Sequence, residues 1–147
     1  MPQRLDYKAI APDGYKAMAG LSQFVLGSGL DKAIYHLVKL RVSQINGCAF
    51  CCWLHAKDLR EIGEKQVRLD CLPAWREAPY YSARERAALA WAEAVTSISE
   101  GHAPDAVYDE VRTQFSEKEV VALTFLIIEI NAWNRLAIPF RQMPPSA

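Results

Sequence analysis

The chain has 147 residues, of which 51% are hydrophobic and 23% are charged. This length and composition predict one soluble domain, residues 1–147, that buries a proper core without a disulfide or a structural metal. Seventeen Lys and Arg residues balance seventeen Asp and Glu residues. The zero net charge argues against nucleic acid and anionic membranes as partners, and it leaves self-association open.

The expected compartment is the cytoplasm. Residues 1–7 lack the basic start and apolar stretch of a signal peptide. The longest apolar run, Val120 to Ile128, falls far below the roughly 18–20 residues that span a bilayer. Three of the four cysteines lie within residues 48–52. Clustered thiols in a cytosolic protein indicate redox chemistry or a metal site rather than a disulfide framework.

The first half of the chain shows helical periodicity. Apolar residues over 13–26 form the stripe of a first helix. Asp31 is a candidate N-cap for a second helix, which Asn46-Gly47 is expected to end. A third helix is predicted from about 48 to 62, and a shorter one from 64 to 72.

The second half continues the helical pattern after an ordered aromatic loop. Ser82 with Glu85, and Ser116 with Glu119, form two capping boxes that predict helix starts. Pro139 is expected to end the last helix. The predicted elements are a loop over 73–81 and helices over 82–98, 104–111 and 120–138. With no strand alternation, the sequence predicts an all-α fold with a core over about 13–138.

The chemistry-bearing motif is CxxCxxxH at 48–55. Cys48 and Cys51, three residues apart at a helix start, face the same way and can close a disulfide. The positive end of the helix favours a thiolate at Cys48, whereas His55, one turn after Cys51, favours a thiolate at Cys51. These two arguments leave the identity of the nucleophile open.

Two other interpretations use the same residues. Cys48, Cys51 and His55 could bind a metal together with His36 or Cys52. Alternatively, the two thiols are buried and apolar, and the histidine is simply hydrogen-bonded. No second ligand cluster in the sequence completes a zinc knuckle.

The motif and its flanks resemble the alkylhydroperoxidase D-like (AhpD-like) branch of the carboxymuconolactone decarboxylase superfamily. The resemblance covers about residues 15–135, in the runs LVKLRVSQINGCAFC (37–51, continuing to His55), AWREAP (74–79), ERAALAW (85–91) and INAWNR (130–135). It implies an all-helical bundle that assembles as trimers or hexamers, with the thiol pair in a cavity near a subunit interface. It also implies reduction of hydroperoxides.

The resemblance further implies residue roles. Cys51 attacks the peroxide and becomes a sulfenic acid, and Cys48 condenses with it to a disulfide. A dithiol or lipoyl-type reductant protein then resets the pair, and neither a cofactor nor a metal is expected. The family's proton relay uses a glutamate twelve residues before the first cysteine, where this chain has His36. A histidine can still relay a proton, but it replaces a carboxylate.

The predicted function is therefore a cytoplasmic thiol-dependent peroxidase with catalytic residues Cys51, Cys48, His55 and His36. One alternative is a dithiol–disulfide oxidoreductase that acts on a protein partner. Another is a metal-binding or redox-sensing module without peroxidase turnover. Decarboxylation of muconolactones is disfavoured, because that branch does not depend on a redox cysteine pair.

The other conspicuous side chains are predicted to be mainly structural. Cys52 is expected at a core or interface position and is also a candidate redox partner. Cys71 is expected to be buried, Trp133 to lie in the core, and His102 to lie at the surface or an interface. Apolar-stripe positions, some of them lining a peroxide pocket, are expected for Tyr15, Met18 and Phe24. Hydrogen bonds to the thiol helix or across an interface are expected for Glu129, Asn131 and Asn134.

Overall fold

The computed structural model describes residues 1–146, which form helices and connecting turns and contain no strand. The helices are α1 (Tyr7–Ile10), α2 (Pro12–Leu26), α3 (Lys32–Asn46), α4 (Ala49–Glu61), α5 (Gln66–Asp70), α6 (Ala83–Thr96), α7 (Ile98–Gly101), α8 (Asp105–Gln114) and α9 (Glu117–Phe140), with a 3₁₀ turn at Leu72–Ala74 between α5 and α6. The predicted all-α fold is confirmed.

Side-chain caps define several helix starts where the sequence predicted them. The Asp31 carboxylate accepts hydrogen bonds from the backbone N–H groups of Ala33 and Ile34 at the start of α3. Both predicted capping boxes are present, at α6 and at α9. Each cap satisfies backbone donors that the first helical turn leaves free, so these boundaries depend on local chemistry.

Helix α3 lies at the centre of the fold and packs against α4, α6 and α9. Its Val38 and Val42 side chains are fully buried in the larger core cluster, which α9 completes. Leu37 and Leu40 are buried in a second cluster, with residues of α4, α5 and α6. Because both faces of α3 are buried, the segment that leads into the cysteine motif is rigidly held.

Three boundaries differ from the sequence prediction. Pro139 does not end α9, which continues to Phe140 and stops at Arg141 in the left-handed conformation, φ 55°. A proline in the last turn loses only its own N–H bond, and too little helix follows for a break to matter. Helix α6 ends at Thr96, before the short α7, and α1 was not predicted.

Within residues 1–146, α9 alone is long and apolar enough to cross a membrane by length and composition. The sequence argument, based on the uninterrupted run from Val120 to Ile128, did not anticipate this. Leu126, Ile127 and Ile130 are fully buried against other helices. This packing is typical of the core helix of a soluble-like all-helical fold.

Candidate active site

Cys48 and Cys51 lie at the junction of α3 and α4. Gly47 ends α3 in the left-handed conformation, φ 71°, and Cys48 is the N-cap of α4. The Cys51 backbone N–H donates to the Cys48 sulfur at 3.3 Å, and the two Cα atoms are 5.3 Å apart. The two sulfurs are within disulfide-bonding distance, and both residues are buried. The two cysteines that the spacing predicted to face the same way are therefore close enough to form a disulfide.

A cavity of about 240 Å³ lies against Cys51. The residues that line it are Tyr7, Lys8, Tyr15, Ser22, Lys39, Phe50, Cys51, Leu54, His55, Glu129, Trp133, Ala137 and Gln142. Among the described residues Cys48 does not line this cavity but a smaller one beside the C-terminal end of α9. A molecule in the larger cavity therefore meets Cys51 rather than Cys48.

His55 also lines the cavity, one helical turn after Cys51. Burial lowers the pKa of His55 below its ordinary value of 6.5, so the imidazole is neutral at pH 7. Its Nδ1 lies 3.3 Å from Asp58 Oδ2. The neighbouring His55 side chain in turn lowers the pKa of Asp58, which stays anionic. A neutral imidazole beside a thiol can accept the thiol proton.

His36 lies behind His55, on α3. Its Nδ1 is 3.7 Å from Asp58 Oδ2, and its ring centroid is 6.3 Å from that of His55. Burial lowers the pKa of His36 despite the nearby carboxylate. Within residues 1–146, His36 and Asp58 are not among the cavity-lining side chains. The structure thus brings Cys48, Cys51 and His55 together, whereas His36 is connected to them through Asp58. Asp58 was not predicted from the sequence, although this residue follows His55 by only three positions.

A buried ion pair forms another part of the cavity wall. Lys39 Nζ lies 2.9 Å from Glu129 Oε1, and both side chains are almost fully buried. The same oxygen accepts hydrogen bonds from Ser22 Oγ at 2.6 Å and Trp133 Nε1 at 3.0 Å. Oε2 has no hydrogen-bond partner in the part of the chain that the structure describes. Glu129 was expected to bond to the thiol helix or across an interface, and within this chain it bonds to α2, α3 and its own helix α9.

The two asparagines of α9 hold the end of α3. Asn46 Nδ2 donates to the side-chain oxygens of Asn131 at 3.0 Å and Asn134 at 2.9 Å. Asn134 Nδ2 donates to Ser43 Oγ at 3.2 Å. Because Asn46 immediately precedes Gly47, these bonds position the turn that leads into Cys48. Their hydrogen bonds were expected to reach the thiol helix or to cross an interface, and within this chain they reach α3, the helix before the thiol helix.

The remaining predicted residues divide between the cavity wall and the surface. Trp133, expected in the core, is only partly buried and lines the cavity, with Tyr15 edge-on to it at 5.7 Å. Phe24 is exposed and contacts Phe125 at 5.3 Å between ring centroids. Half-buried positions are found for Met18, Cys52 and Cys71, and an exposed one for His102. Cys71 is less buried than expected because it lies in the turn between α5 and the 3₁₀ segment.

Comparisons with a family model and with known proteins agree on one family. Residues 12–94 match the Carboxymuconolactone decarboxylase family. The uncharacterized protein YdfG of Bacillus subtilis is 42% identical over 138 residues, 94% of each chain. The alkyl hydroperoxide reductase AhpD of Nocardia farcinica is 48% identical over 46 residues, which are 31% of this chain and 26% of that protein.

Among solved structures, one from Agrobacterium tumefaciens superposes with a TM-score of 0.97 at 42% identity, covering 99% of this chain and all of that one. That protein has no established function and is a candidate AhpD-type antioxidant-defence protein. The family match covers more than half of the chain, and this structural match covers nearly all of it. The chain therefore belongs to the carboxymuconolactone decarboxylase family and, within it, to the AhpD-like branch.

Proposed function

We propose that this protein is a thiol-dependent peroxidase that reduces hydroperoxides, alkyl hydroperoxides in particular, through Cys51 and Cys48. The observation that carries the proposal is the cavity, which reaches Cys51 and His55 while Cys48 lies outside its lining. Aromatic walls from Tyr15, Phe50 and Trp133 suit the alkyl part of a substrate. This arrangement also supports Cys51 as the nucleophile, which the motif alone left open.

In the first step, neutral His55 takes the proton from the Cys51 thiol. The Cys51 thiolate attacks the terminal oxygen of the hydroperoxide and breaks the O–O bond. The sulfur keeps the OH group as a sulfenic acid, and the alkoxide leaves as an alcohol with the proton that His55 held. Asp58 stabilises the imidazolium between the two transfers, and His36, on the other side of Asp58, completes the relay.

In the second step, the Cys48 sulfur attacks the sulfenic sulfur of Cys51, and water leaves as the disulfide forms. The N-cap position favours this step, because the Cys51 N–H already points its hydrogen at the Cys48 sulfur. An external dithiol, of a small-molecule or lipoyl-type protein, then returns two electrons and two protons. The cycle requires no metal or organic cofactor.

The buried pair of Lys39 and Glu129 gives the cavity one polar wall. The free Oε2 of Glu129 can accept a hydrogen bond from the O–H of a hydroperoxide, since Oε1 already has three donors. Substrate would then lie with its polar end between Glu129 and Cys51 and its alkyl end against the aromatic side chains.

Mass spectrometry of reduced protein treated with one equivalent of an alkyl hydroperoxide tests the proposal. We expect a Cys48–Cys51 disulfide in the wild type within seconds. Cys48→Ser should trap a sulfenic acid on Cys51, and Cys51→Ser should leave Cys48 reduced. Thiols that stay reduced for many minutes in the wild type would overturn the proposal.

A dithiol–disulfide oxidoreductase is the second candidate. It is favoured by the position of His36, because disulfide exchange needs no proton relay of the kind that peroxide reduction uses, and His36 lies outside the described cavity lining. The two functions are separated by comparing the second-order rate constants for oxidation of the reduced protein by an alkyl hydroperoxide and by oxidised lipoamide. Faster reaction with lipoamide would favour the second candidate.

The proposed assembly is a homo-trimer or hexamer in the cytoplasm. Its support is a stripe of exposed apolar residues on α9, Val121, Phe125 and Ile128, beside Phe24 on α2. Contiguous apolar surface of this kind commonly marks an interface. Such an interface would also place α2, one wall of the cavity, at a subunit contact.

A further inference from the structure

A second cluster of chemistry-bearing side chains lies directly behind the cavity. It consists of His36 from α3 and of His55 and Asp58 from α4. One nitrogen of each histidine and one carboxylate oxygen lie within 4.8 Å of one another. His55 Nδ1 is 3.3 Å and His36 Nδ1 is 3.7 Å from Asp58 Oδ2. His55 therefore belongs both to this cluster and to the cavity wall.

These separations fit a metal ion. Nitrogen and oxygen ligands bound to zinc at about 2.1 Å in a tetrahedral site lie roughly 3.3–3.5 Å apart. The two measured separations, 3.3 and 3.7 Å, are within a small side-chain rotation of that value. Two imidazoles and a carboxylate form the ligand set of catalytic-type sites, which leave a fourth position for water.

The unsatisfied atoms also indicate a ligand. The Nδ1 atoms of both histidines are buried and have no hydrogen-bond partner among the residues described, and buried polar atoms are normally paired. His36 Nδ1, at 3.7 Å from Asp58 Oδ2, lies beyond hydrogen-bond distance, whereas His55 Nδ1, at 3.3 Å, is near enough to interact with the carboxylate and lower its pKa. The side chains of His36 and Asp58 are 19% and 27% exposed, so an ion can enter from solvent.

The charge state of the cluster suits a cation. Burial lowers the pKa of both histidines, so they are neutral at pH 7, while Asp58 is anionic. Binding therefore needs little proton release. Three lysines act electrostatically on the cluster, Lys32, Lys39 and Lys57. The charge of Lys39 is offset by Glu129 at 2.9 Å, and that of Lys57 by Glu61 at 3.2 Å.

We propose that His36, His55 and Asp58 form a binding site for a divalent transition-metal ion, with zinc as the ion of choice, and that the bound ion restrains Cys51. Coordination through Nδ1 leaves the remaining ring proton of His55 on Nε2. The ring can then no longer accept a proton from the Cys51 thiol. Metal binding itself does not depend on the peroxidase function. The role of the bound ion as an inhibitor of Cys51 ionisation, here called the brake, does rest on the proposed peroxidase function.

Isothermal titration of the oxidised protein with Zn²⁺ tests the site, because the disulfide keeps Cys48 and Cys51 from binding metal. We expect one equivalent to bind and the affinity to fall at least about tenfold in His36→Gln and in Asp58→Asn. His102→Gln, which removes the exposed third histidine, is the matched control and should bind as the wild type does. Equal affinities in wild type and His36→Gln, or no binding to wild type, would overturn the site.

Cobalt distinguishes this site from one made by the free cysteines. Co²⁺ bound to the oxidised protein should give the visible bands of a tetrahedral or five-coordinate nitrogen–oxygen site without thiolate-to-metal charge transfer. Strong charge-transfer absorption that disappears in Cys52→Ser or Cys71→Ser would instead assign the metal to those thiols and overturn the proposal.

The brake is tested without peroxide, so that its failure is distinguishable from failure of the proposed function. Reduced protein is alkylated with iodoacetamide, and the modification of Cys51 is followed by peptide mass spectrometry. Zn²⁺ should slow alkylation of Cys51 at least about tenfold in the wild type and much less in His36→Gln. Equal slowing in both would mean that zinc acts on the thiols directly, and no slowing in the wild type would mean that the ion leaves His55 free.

Discussion

At the scale of single residues, the proposed chemistry depends on the proton that Cys51 must lose. We expect His55→Gln to slow oxidation of Cys51 by an alkyl hydroperoxide about 100-fold at pH 7, because the thiol then ionises without a base. The rate should recover at alkaline pH, where the thiol ionises by itself. Quenched-flow mass spectrometry across pH measures this. A variant as fast as the wild type at pH 7 would remove His55 from the mechanism.

A second prediction at this scale concerns the buried pair of Lys39 and Glu129. Glu129→Gln keeps an oxygen for Ser22 and Trp133 but leaves the Lys39 charge without its counterion. Breaking a buried pair from one side costs about 3–5 kcal/mol, so urea unfolding should show a loss of that order. The double variant Lys39→Met with Glu129→Leu should lose less than Glu129→Gln alone. Equal losses would show that packing, and not the isolated charge, sets the cost.

The residues of the site differ in how far sequence could predict them. Cys48, Cys51 and His55 lie within about two helical turns, so their proximity follows from spacing alone. Lys39 and Glu129 are 90 positions apart and meet only because α3 packs against α9. Glu129 is the one charged residue of α9 between Glu119 and Arg135, which signals a buried partner but does not identify it. Lys39 gives no such signal, because α3 also carries Lys32 and Arg41. The cavity therefore could not be predicted from local sequence patterns.

At the scale of helices, a single carboxylate ties three segments together. Glu93 on α6 accepts hydrogen bonds from Arg41 on α3 at 2.9 Å and from Trp75 after the 3₁₀ turn at 2.8 Å, and it pairs with Arg76. Burial alone would raise the pKa of Glu93, but these donors outweigh it and hold the pKa below the ordinary 4.5. The carboxylate thus stabilises the fold in its charged form.

The lowered pKa of Glu93 determines how the free energy of unfolding changes with pH. A group with a depressed folded-state pKa stabilises the protein fully above its ordinary pKa, and this stability is lost as the pH falls through the lower folded-state value. We expect Glu93→Gln to lower the free energy of unfolding by about 1–3 kcal/mol at pH 7 and to flatten its decline below pH 4.5. Substitution of the exposed Glu100, as Glu100→Gln, should change neither the free energy of unfolding at pH 7 nor its decline below pH 4.5. Parallel pH profiles for wild type and Glu93→Gln would contradict this account.

Helix boundaries were predictable where a nearby side chain caps the helix. They were not predictable where contacts with residues distant in sequence determine the boundary. Asp31 and the serines of the capping boxes act within three residues, so the sequence shows them directly. The short α1 also has a local cap, Asp6, which accepts hydrogen bonds from the N–H groups of Lys8 and Ala9, but its four residues are too few to show helical periodicity. Contacts with the other end of the chain hold it in place as well. Arg4 N–H donates to the Phe140 carbonyl at 3.0 Å, and Tyr7 Oη to Gln142 at 2.6 Å. No window of local sequence contains such pairs.

At the scale of the whole molecule, the two ends of the chain meet over the cavity. Tyr7 and Lys8 of α1 and Gln142 after α9 all line it. Part of the cavity wall is therefore built by the two terminal segments, and α1 has no buried residue of its own. Helix α2, with Val25 as its one buried residue among those described, is similarly exposed. Both observations suggest that this side of the molecule needs a further partner for its stability.

A second copy of the chain is the partner that we predict for this side. The stripe of Val121, Phe125 and Ile128 lies next to Phe24, and each of these side chains is more than one-third exposed. Light scattering after gel filtration should show a trimer or hexamer of the wild type. Phe125→Asp should shift it toward the monomer without loss of helical circular dichroism, because burying a charge at an apolar contact opposes association.

The equally exposed Val67 on α5 provides the comparison for this experiment. Val67→Asp adds the same charge outside the stripe and should leave the assembly intact. If Phe125→Asp also loses affinity for substrate, the interface and the cavity are linked through α2, since Phe24 and Tyr15 lie on that one helix and Tyr15 lines the cavity. A wild-type protein that elutes as a monomer at micromolar concentration would instead mean that contacts within the chain suffice to hold α2, among them Phe24 with Phe125 and Ser22 with Glu129.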